Sequence, residues 1–132
     1  MKAANRREYD SLARLTRTRT LCRNSSGNVY EGEWRDDQRH GQGTMTWRSQ
    51  GETYTGEWHN GVQHGVGEHT WLAKRFAATV FVQHNRYVGD FSYGKRHGKG
   101  TMHYATGATY VGGWVNDKKH GAAVYTSDTG ER

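Results

Sequence analysis

Four histidines followed by glycine, His40-Gly41, His64-Gly65, His97-Gly98 and His120-Gly121, are the residues of this chain best suited by type to do chemistry. Imidazoles ligate metals, and beside Glu33, Glu57 and Asp90 they could move protons. Their spacing argues against both roles. Each histidine follows a tyrosine by ten residues, in Tyr30-Glu31-Gly32-Glu33-Trp34, Tyr54-Thr55-Gly56-Glu57-Trp58, Tyr87-Val88-Gly89-Asp90-Phe91 and Tyr110-Val111-Gly112-Gly113-Trp114. The four are equivalent positions of one repeated unit. In stacked hairpins such positions stand ~10 Å apart, since strands lie ~4.8 Å apart, and a metal with bonds of ~2 Å to nitrogen cannot span two of them. The carboxylates are separated in the same way, too far for acid–base pairing except between nearest neighbours. No Gly-x-Ser-x-Gly elbow or phosphate-binding loop is present, and Gly41-Gln42-Gly43 recurs in step with the repeat. No residue is assigned to catalysis, to a cofactor or to a metal.

The elements that carry these histidines are β-hairpins. Alternation of large, glycine, large places all three residues on one face of a strand, because side chains alternate with period two. The turn-forming pairs Asp36-Asp37, Asn60-Gly61, Tyr93-Gly94 and Asn116-Asp117 follow each second aromatic. A two-residue turn there predicts a register in which Gly32 opposes Gly41, Tyr30 opposes Gly43 and Glu33 opposes His40. Each tyrosine then lies across from a glycine (Gly43, Gly67, Gly100) or from Ala123, with room for its ring over bare backbone. The same register sets His64 against Glu57 and His97 against Asp90, in cross-strand pairs worth a few tenths to ~1 kcal/mol. His120 faces Gly113 instead. Second strands continue on the aromatic face through Met45 and Trp47, His69 and Trp71, and Met102 and Tyr104.

Composition supports aromatic packing on glycine. An apolar content of 33% is poor for an aliphatic core, as is a mean hydropathy of −1.07. Yet the 132 residues include 5 Trp, 8 Tyr and 18 Gly with no Pro, unlike a disordered chain. The lone Cys22 excludes an intramolecular disulfide and a multi-cysteine zinc site. No apolar run approaches the ~18 residues of a membrane span, and no signal-peptide pattern stands near the start. The expectation is a soluble intracellular protein. Charge is uneven: of the net +6, residues 1–23 hold seven Lys/Arg against Glu8 and Asp10, a net of +5, which leaves about +1 for the remainder.

The recurring Tyr-x-Gly-x-Trp…His-Gly-x-Gly motif, from Tyr30 to about Ser127, resembles the membrane occupation and recognition nexus (MORN) repeat. That resemblance implies an all-β protein, an elongated, curved, single-layer antiparallel sheet of four stacked hairpins. It also implies a non-enzymatic scaffold, often cytoskeletal or axonemal, whose aromatic-lined groove receives a helix or an extended segment of another protein. The implied partner-binding residues are Tyr30, Trp34, Trp47, Tyr54, Trp58, Trp71, Phe76, Phe81, Tyr87, Phe91, Tyr104, Tyr110 and Trp114. Phospholipid binding is the family's second implied activity. The tracts Val29 to Gly41 and Tyr87 to Gly121, with the interrupted spacing between the second and third repeats, are also similar to the radial spoke head group of motile cilia. From that similarity the expected partners are radial spoke head proteins and the expected location is the cytoskeleton of a ciliary or flagellar axoneme.

The chain divides into a basic leader, 1–25, and a repeat array, 26–132, with repeats starting near 30, 54, 87 and 110. Three departures from regularity draw functional readings. Successive tyrosines step by 24, 33 and 23 residues, so the segment 72–86 is longer than its counterparts. It holds the most apolar stretch, Phe76 to Val82, read as a projecting hairpin or loop that meets a partner or packs back on the sheet. In the last repeat Ala123 replaces glycine and Ser127 replaces an aromatic, without a polar cap, which invites self-association or pairing with another sheet. Lys95, Arg96, Lys118 and Lys119 gather near the turns and read as solvated charge. In the leader, Asn5 to Leu15 suits a short amphipathic helix and Leu15 to Leu21 an edge strand, with disorder until bound the alternative.

Two functions follow. One is an interaction scaffold in a large assembly, its aromatic face and array ends buried by other protein subunits, because a one-layer sheet cannot cover both faces. The other is a module that targets anionic membrane lipid through the basic leader, against which stands the near-neutral repeat body. Nucleic acid is not an expected partner.

Overall fold

A computed structural model describes residues 19–24, 27–72 and 84–129. Among the described residues, nine strands form one antiparallel sheet in simple sequential order: β1 Arg19–Arg23, β2 Val29–Arg35, β3 Gln38–Trp47, β4 Glu52–His59, β5 Val62–Leu72, β6 His84–Ser92, β7 Lys95–His103, β8 Thr109–Val115 and β9 Lys118–Thr126. Strands β2 to β9 are the four expected hairpins. Within the leader's range, β1 lies along β2 from Arg19↔Glu33 to Arg23↔Val29. The helix expected at Asn5 to Leu15 falls outside the described residues.

Each hairpin closes with two residues in left-handed backbone: Asp36 and Asp37 (φ 51 and 65), Asn60 and Gly61 (φ 48 and 89), Tyr93 and Gly94 (φ 51 and 83), Asn116 and Asp117 (φ 49 and 70). Positive φ at both central positions suits the right-handed twist of the flanking strands. Pairing starts as expected, with Arg35↔Gln38 and Trp34↔Arg39.

The next pairs depart from the expected register. Gly32 faces Gly43 rather than Gly41, and Tyr30 faces Met45 rather than Gly43, because a bulge intervenes between Gly32 and Trp34. Equivalent bulges interrupt the other three hairpins. At each one, second-strand residues loop out through a glycine of positive φ: Gly41 (74), Gly65 (86), Gly98 (104) and Gly121 (78). Such a bulge leaves backbone groups unpaired, and side chains supply the missing partners. The Glu33 carboxylate accepts from Gln42 N at 2.7 Å, Glu57 from Val66 N at 2.8 Å, and Asp90 from Lys99 N at 3.0 Å. The proposed pairing of His40 with Glu33, and its counterparts, is therefore incorrect.

Tyrosine over glycine survives in altered form. A Cβ added at Gly43, Gly67 or Gly100 would run into the ring and hydroxyl of Tyr30, Tyr54 or Tyr87 respectively. The ring leans diagonally past its own strand's glycine toward the bulge. There the Tyr30 hydroxyl donates to Glu33 O at 2.9 Å, as Tyr54 does to Glu57 O (2.7 Å), Tyr87 to Asp90 O (2.9 Å) and Tyr110 to Gly113 O (2.9 Å).

β5 and β6 pair to Leu72↔His84, one step beyond the pair Trp71↔Asn85 that corresponds to Trp47↔Glu52 in the preceding junction. Residues 73–83, with Phe76 and Phe81, lie outside the described residues.

Candidate interaction surface

The core is one row of rings that crosses every repeat boundary. Trp34 stands edge-on to Tyr30 (centroids 5.2 Å), Tyr30 to Trp58 (5.4 Å), Trp58 to Tyr54 (5.0 Å), and Tyr54 to Phe91 (5.0 Å). The row continues from Phe91 to Tyr87 (5.1 Å), Tyr87 to Trp114 (5.3 Å) and Trp114 to Tyr110 (5.3 Å). Interplanar angles of 77–90° set the positive ring edge against the negative face throughout. Each tyrosine but Tyr110 is thus clasped between the aromatic of its own hairpin and that of the next. Trp58 and Trp114 also donate their indole N–H to Gly43 O (3.0 Å) and Gly100 O (3.4 Å) of the preceding repeat.

This arrangement corrects the view that the aromatic face as a whole awaits a partner. Tyr30, Tyr54, Trp58, Tyr87, Phe91, Tyr110 and Trp114 are buried within the chain, with Met45 and Met102 beside them. The rings cover one another, and glycine lets them lie close to the backbone, so a single sheet makes its own core. Trp34, Trp47, Trp71 and Tyr104 pack against that core while keeping part of their surface in solvent.

Three of these half-buried rings occupy equivalent places near the ends of β3, β5 and β7, and form the strongest candidate surface. His69 fills the space between Trp47 and Trp71, stacked on both at 5.6 and 4.3 Å with interplanar angles of 17° and 29°. Its Nε2 lies 2.9 Å from Glu52 Oε1. Burial depresses the His69 pKa below its ordinary value, and the Glu52 hydrogen bond opposes that shift without cancelling it. Tyr104 extends the row toward β9, where Tyr125 lies 6.5 Å away.

At the opposite, turn-bearing ends of the strands, residues just before the histidines lock neighbouring hairpins together. Arg39 stretches over Trp58 (5.0 Å) and donates to Gly61 O at 2.9 Å. Arg96 does the same two junctions later, over Trp114 at 4.7 Å, with bonds to Asp117 O (3.1 Å) and Asp117 Oδ1 (3.0 Å). Burial alone would raise the Asp117 pKa, but the Arg96 backbone amide, which donates to Oδ1 at 2.9 Å, and the Arg96 guanidinium outweigh it and hold the carboxyl below its usual range. Arg96 is therefore a clamp, not solvated charge. Lys119, at the same place in the last repeat, folds back over Tyr110 (4.9 Å) and Tyr104 (5.1 Å). Sequence reasoning missed these clamps, although the Arg-His-Gly of the first and third repeats and the Lys-His-Gly of the fourth were in view.

Backbone bonds repeat at each junction, and histidine bonds join them at the second and third. Gly61 N donates to Arg39 O, Gly94 N to Gln63 O and Asp117 N to Arg96 O, each at 2.9 Å. His64 Nδ1 accepts from Tyr93 N at 3.5 Å and His97 Nδ1 from Asn116 N at 3.4 Å. His64 and His97 thus register the next turn rather than face a carboxylate. Rings of His40, His59 and His64 run along this side with centroids 4.9 and 5.6 Å apart. Among the described residues no group of three or more His, Cys, Asp or Glu is placed to hold a metal.

Core, clamps and turns together define a hairpin-repeat protein whose neighbours join through one periodic interface. The MORN repeat family matches this chain at residues 30–52, 54–71, 87–109 and 110–132. The chain belongs to that family. It is 30% identical over 125 residues to MORN repeat-containing protein 3 of Xenopus laevis, an alignment that covers 90% of this chain and 39% of the relative.

Proposed function

We propose that this chain is a non-enzymatic scaffold that binds other protein subunits of a large assembly, the radial spoke head of a ciliary or flagellar axoneme. The observation that supports it is the row Trp47, Trp71 and Tyr104, packed on the core yet half open to solvent. Rigid aromatic side chains in a line, already held on one side, lose little entropy when a segment covers the other side. That row favours an extended or helical protein segment laid across the strand ends. The resemblance of residues 29–41 and 87–121 to the spoke head group directs the reading to that assembly.

Proximity labelling from a tagged full chain in a ciliated cell tests it. Spoke head proteins should be enriched, and Trp47→Ala with Tyr104→Ala should lower the enrichment while the protein keeps its thermal unfolding transition. Labelling confined to membrane proteins, or unaffected by the double substitution, would overturn it.

A further inference from the structure

Three of the four bulges carry their own carboxylate, and the fourth does not. Glu33, Glu57 and Asp90 accept from Gln42 N, Val66 N and Lys99 N. In the fourth hairpin the equivalent amide belongs to Ala122, and the equivalent first-strand residue is Gly113, which has no side chain to offer it. The space at each bulge follows the same rule. A Cβ added at Gly41, Gly65 or Gly98 would meet the carboxyl of Glu33, Glu57 or Asp90, whereas one added at Gly121 would meet nothing within 4 Å among the described residues. A carboxylate could not return at position 113 without rearrangement, because a Cβ there would run into the His120 carbonyl.

The acceptor comes from within each hairpin and not from its neighbour. Glu57 stands directly across from Gln42, yet it serves Val66 N of its own repeat. Asp90 stands across from Val66, yet it serves Lys99 N. By that rule a further repeat stacked on β9 would bring its carboxylate to its own bulge and leave the place beside Gly121 as it is.

The surroundings of Ala122 suit a carboxylate with an apolar neighbour. A shallow hollow of about 480 Å³ opens on the face opposite the tyrosine rings, with Lys99, Thr101, Val111, Ala122 and Val124 in its lining. Lys99 supplies positive charge there. Val111 faces Val124, where the first two hairpins pair Glu31 with Thr44 and Thr55 with Glu68. The two valines are 50 and 47% accessible.

We infer that the bulge of the fourth hairpin is a socket for the carboxylate of an aspartate or glutamate on another protein subunit. The incoming group takes the place that Glu33, Glu57 and Asp90 fill in their own hairpins. One oxygen accepts from Ala122 N, the Lys99 ammonium pairs with the charge, and the residue beside the acid lies on Val111 and Val124. This inference rests on the scaffold reading and adds a contact of defined chemistry on the face opposite Trp47, Trp71 and Tyr104. A protein segment is favoured over a free anion, because a small carboxylate alone leaves both valines uncovered.

Nuclear magnetic resonance of the full chain tests this, with the capped tripeptides Val-Glu-Val and Val-Gln-Val and with acetate as probes. Val-Glu-Val should move the Ala122 amide proton downfield in a saturable way, as a hydrogen bond to a carboxylate does, and Val-Gln-Val should not. Lys99→Gln should weaken the acidic peptide about tenfold or more, the scale of one lost charge-assisted contact, while the thermal unfolding transition stays in place. An Ala122 amide that neither peptide moves, or that both move alike, would contradict the socket. Acetate as effective as Val-Glu-Val would assign the site to free anions and overturn the protein partner. If the socket fails while Trp47 and Tyr104 are still required for labelling in cells, the scaffold reading stands without it.

Discussion

Trp114 of the fourth hairpin stands edge-on to Tyr87 of the third, with ring centroids 5.3 Å apart and planes at 84°. The same indole lies under the Arg96 guanidinium at 4.7 Å and donates to Gly100 O. One side chain thus joins two repeats by ring contact, cation–π attraction and a hydrogen bond.

Trp114→Ala should therefore act on the junction as well as on its own hairpin. A buried Trp→Ala change costs about 3–5 kcal/mol, and Trp114 is only 3% accessible. In a one-dimensional array that loss should release β8 and β9 before the rest. Urea unfolding with exchange readout checks this: β8 and β9 amides should lose protection first, and uniform loss across all strands would contradict it.

The bulges supply a test of register. Glu57→Ala removes the acceptor of the Val66 amide and should cost about 1–2 kcal/mol, the range for a hydrogen bond to a charged group that is partly solvated. His64→Ala removes a different contact, to Tyr93 N. Combined, the two should be additive within about 0.5 kcal/mol. A larger coupling in a double-mutant cycle would restore the direct His–Glu pairing that the register excludes.

Gly67 tests the close approach of tyrosine to backbone. Added methyl bulk there meets the Tyr54 ring, which is fully buried and cannot swing aside. Gly67→Ala should destabilise by about 1–3 kcal/mol, the usual cost of overpacking. Ala123 occupies the equivalent place naturally, so Ala123→Gly should change thermal stability far less.

Acid should weaken the array through His69. Its pKa is depressed in the folded chain by burial, so the unfolded chain binds the proton more readily. Stability contributed by neutral His69 is complete above the ordinary value of 6.5 and is lost as pH falls through the lower folded value. Denaturation midpoints measured downward from neutral pH should fall in that range. His69→Met, which copies Met45 and Met102, should flatten the decline, and an unchanged profile in that variant would contradict the assignment.

Alkali should act on the tyrosine ladder. Burial, with Asp90 nearby, pushes the Tyr87 pKa up to about 12, and burial raises that of Tyr54 further. Folded values above the ordinary 10.0 mean that stability is complete below that pH and declines as pH rises through the folded values. Ultraviolet titration should show Tyr54 and Tyr87 ionising only in a late step above the ordinary value of 10.0. Ionisation of all tyrosines in one early step would contradict the packing.

Much of the architecture was legible because it is local. Tyr30-x-Gly32-x-Trp34 shows which residues share a strand face, and Asn60-Gly61 shows where the chain reverses. The bulge was not legible, since a two-residue turn allows an unbroken ladder as readily as one that loops out at Gly41. Choice between them depends on the Tyr30 hydroxyl and the Glu33 carboxylate reaching backbone groups that the bulge itself frees. The candidate surface was legible only as a pool of aromatics. Which of them form the core depends on rings contributed by the neighbouring repeat.

The amino-acid sequence by itself determined the repeat, the hairpins, the turns and the shared aromatic face, because each is encoded within a few residues by side-chain period and turn chemistry. Tertiary structure alone decided the rest: that Tyr54 is clasped between Trp58 and Phe91, that Arg96 belongs to the next turn, and that Trp47, Trp71 and Tyr104 stay open. Those outcomes come from contacts between residues a repeat apart, where packing and hydrogen-bond geometry choose among arrangements that local pattern leaves equal.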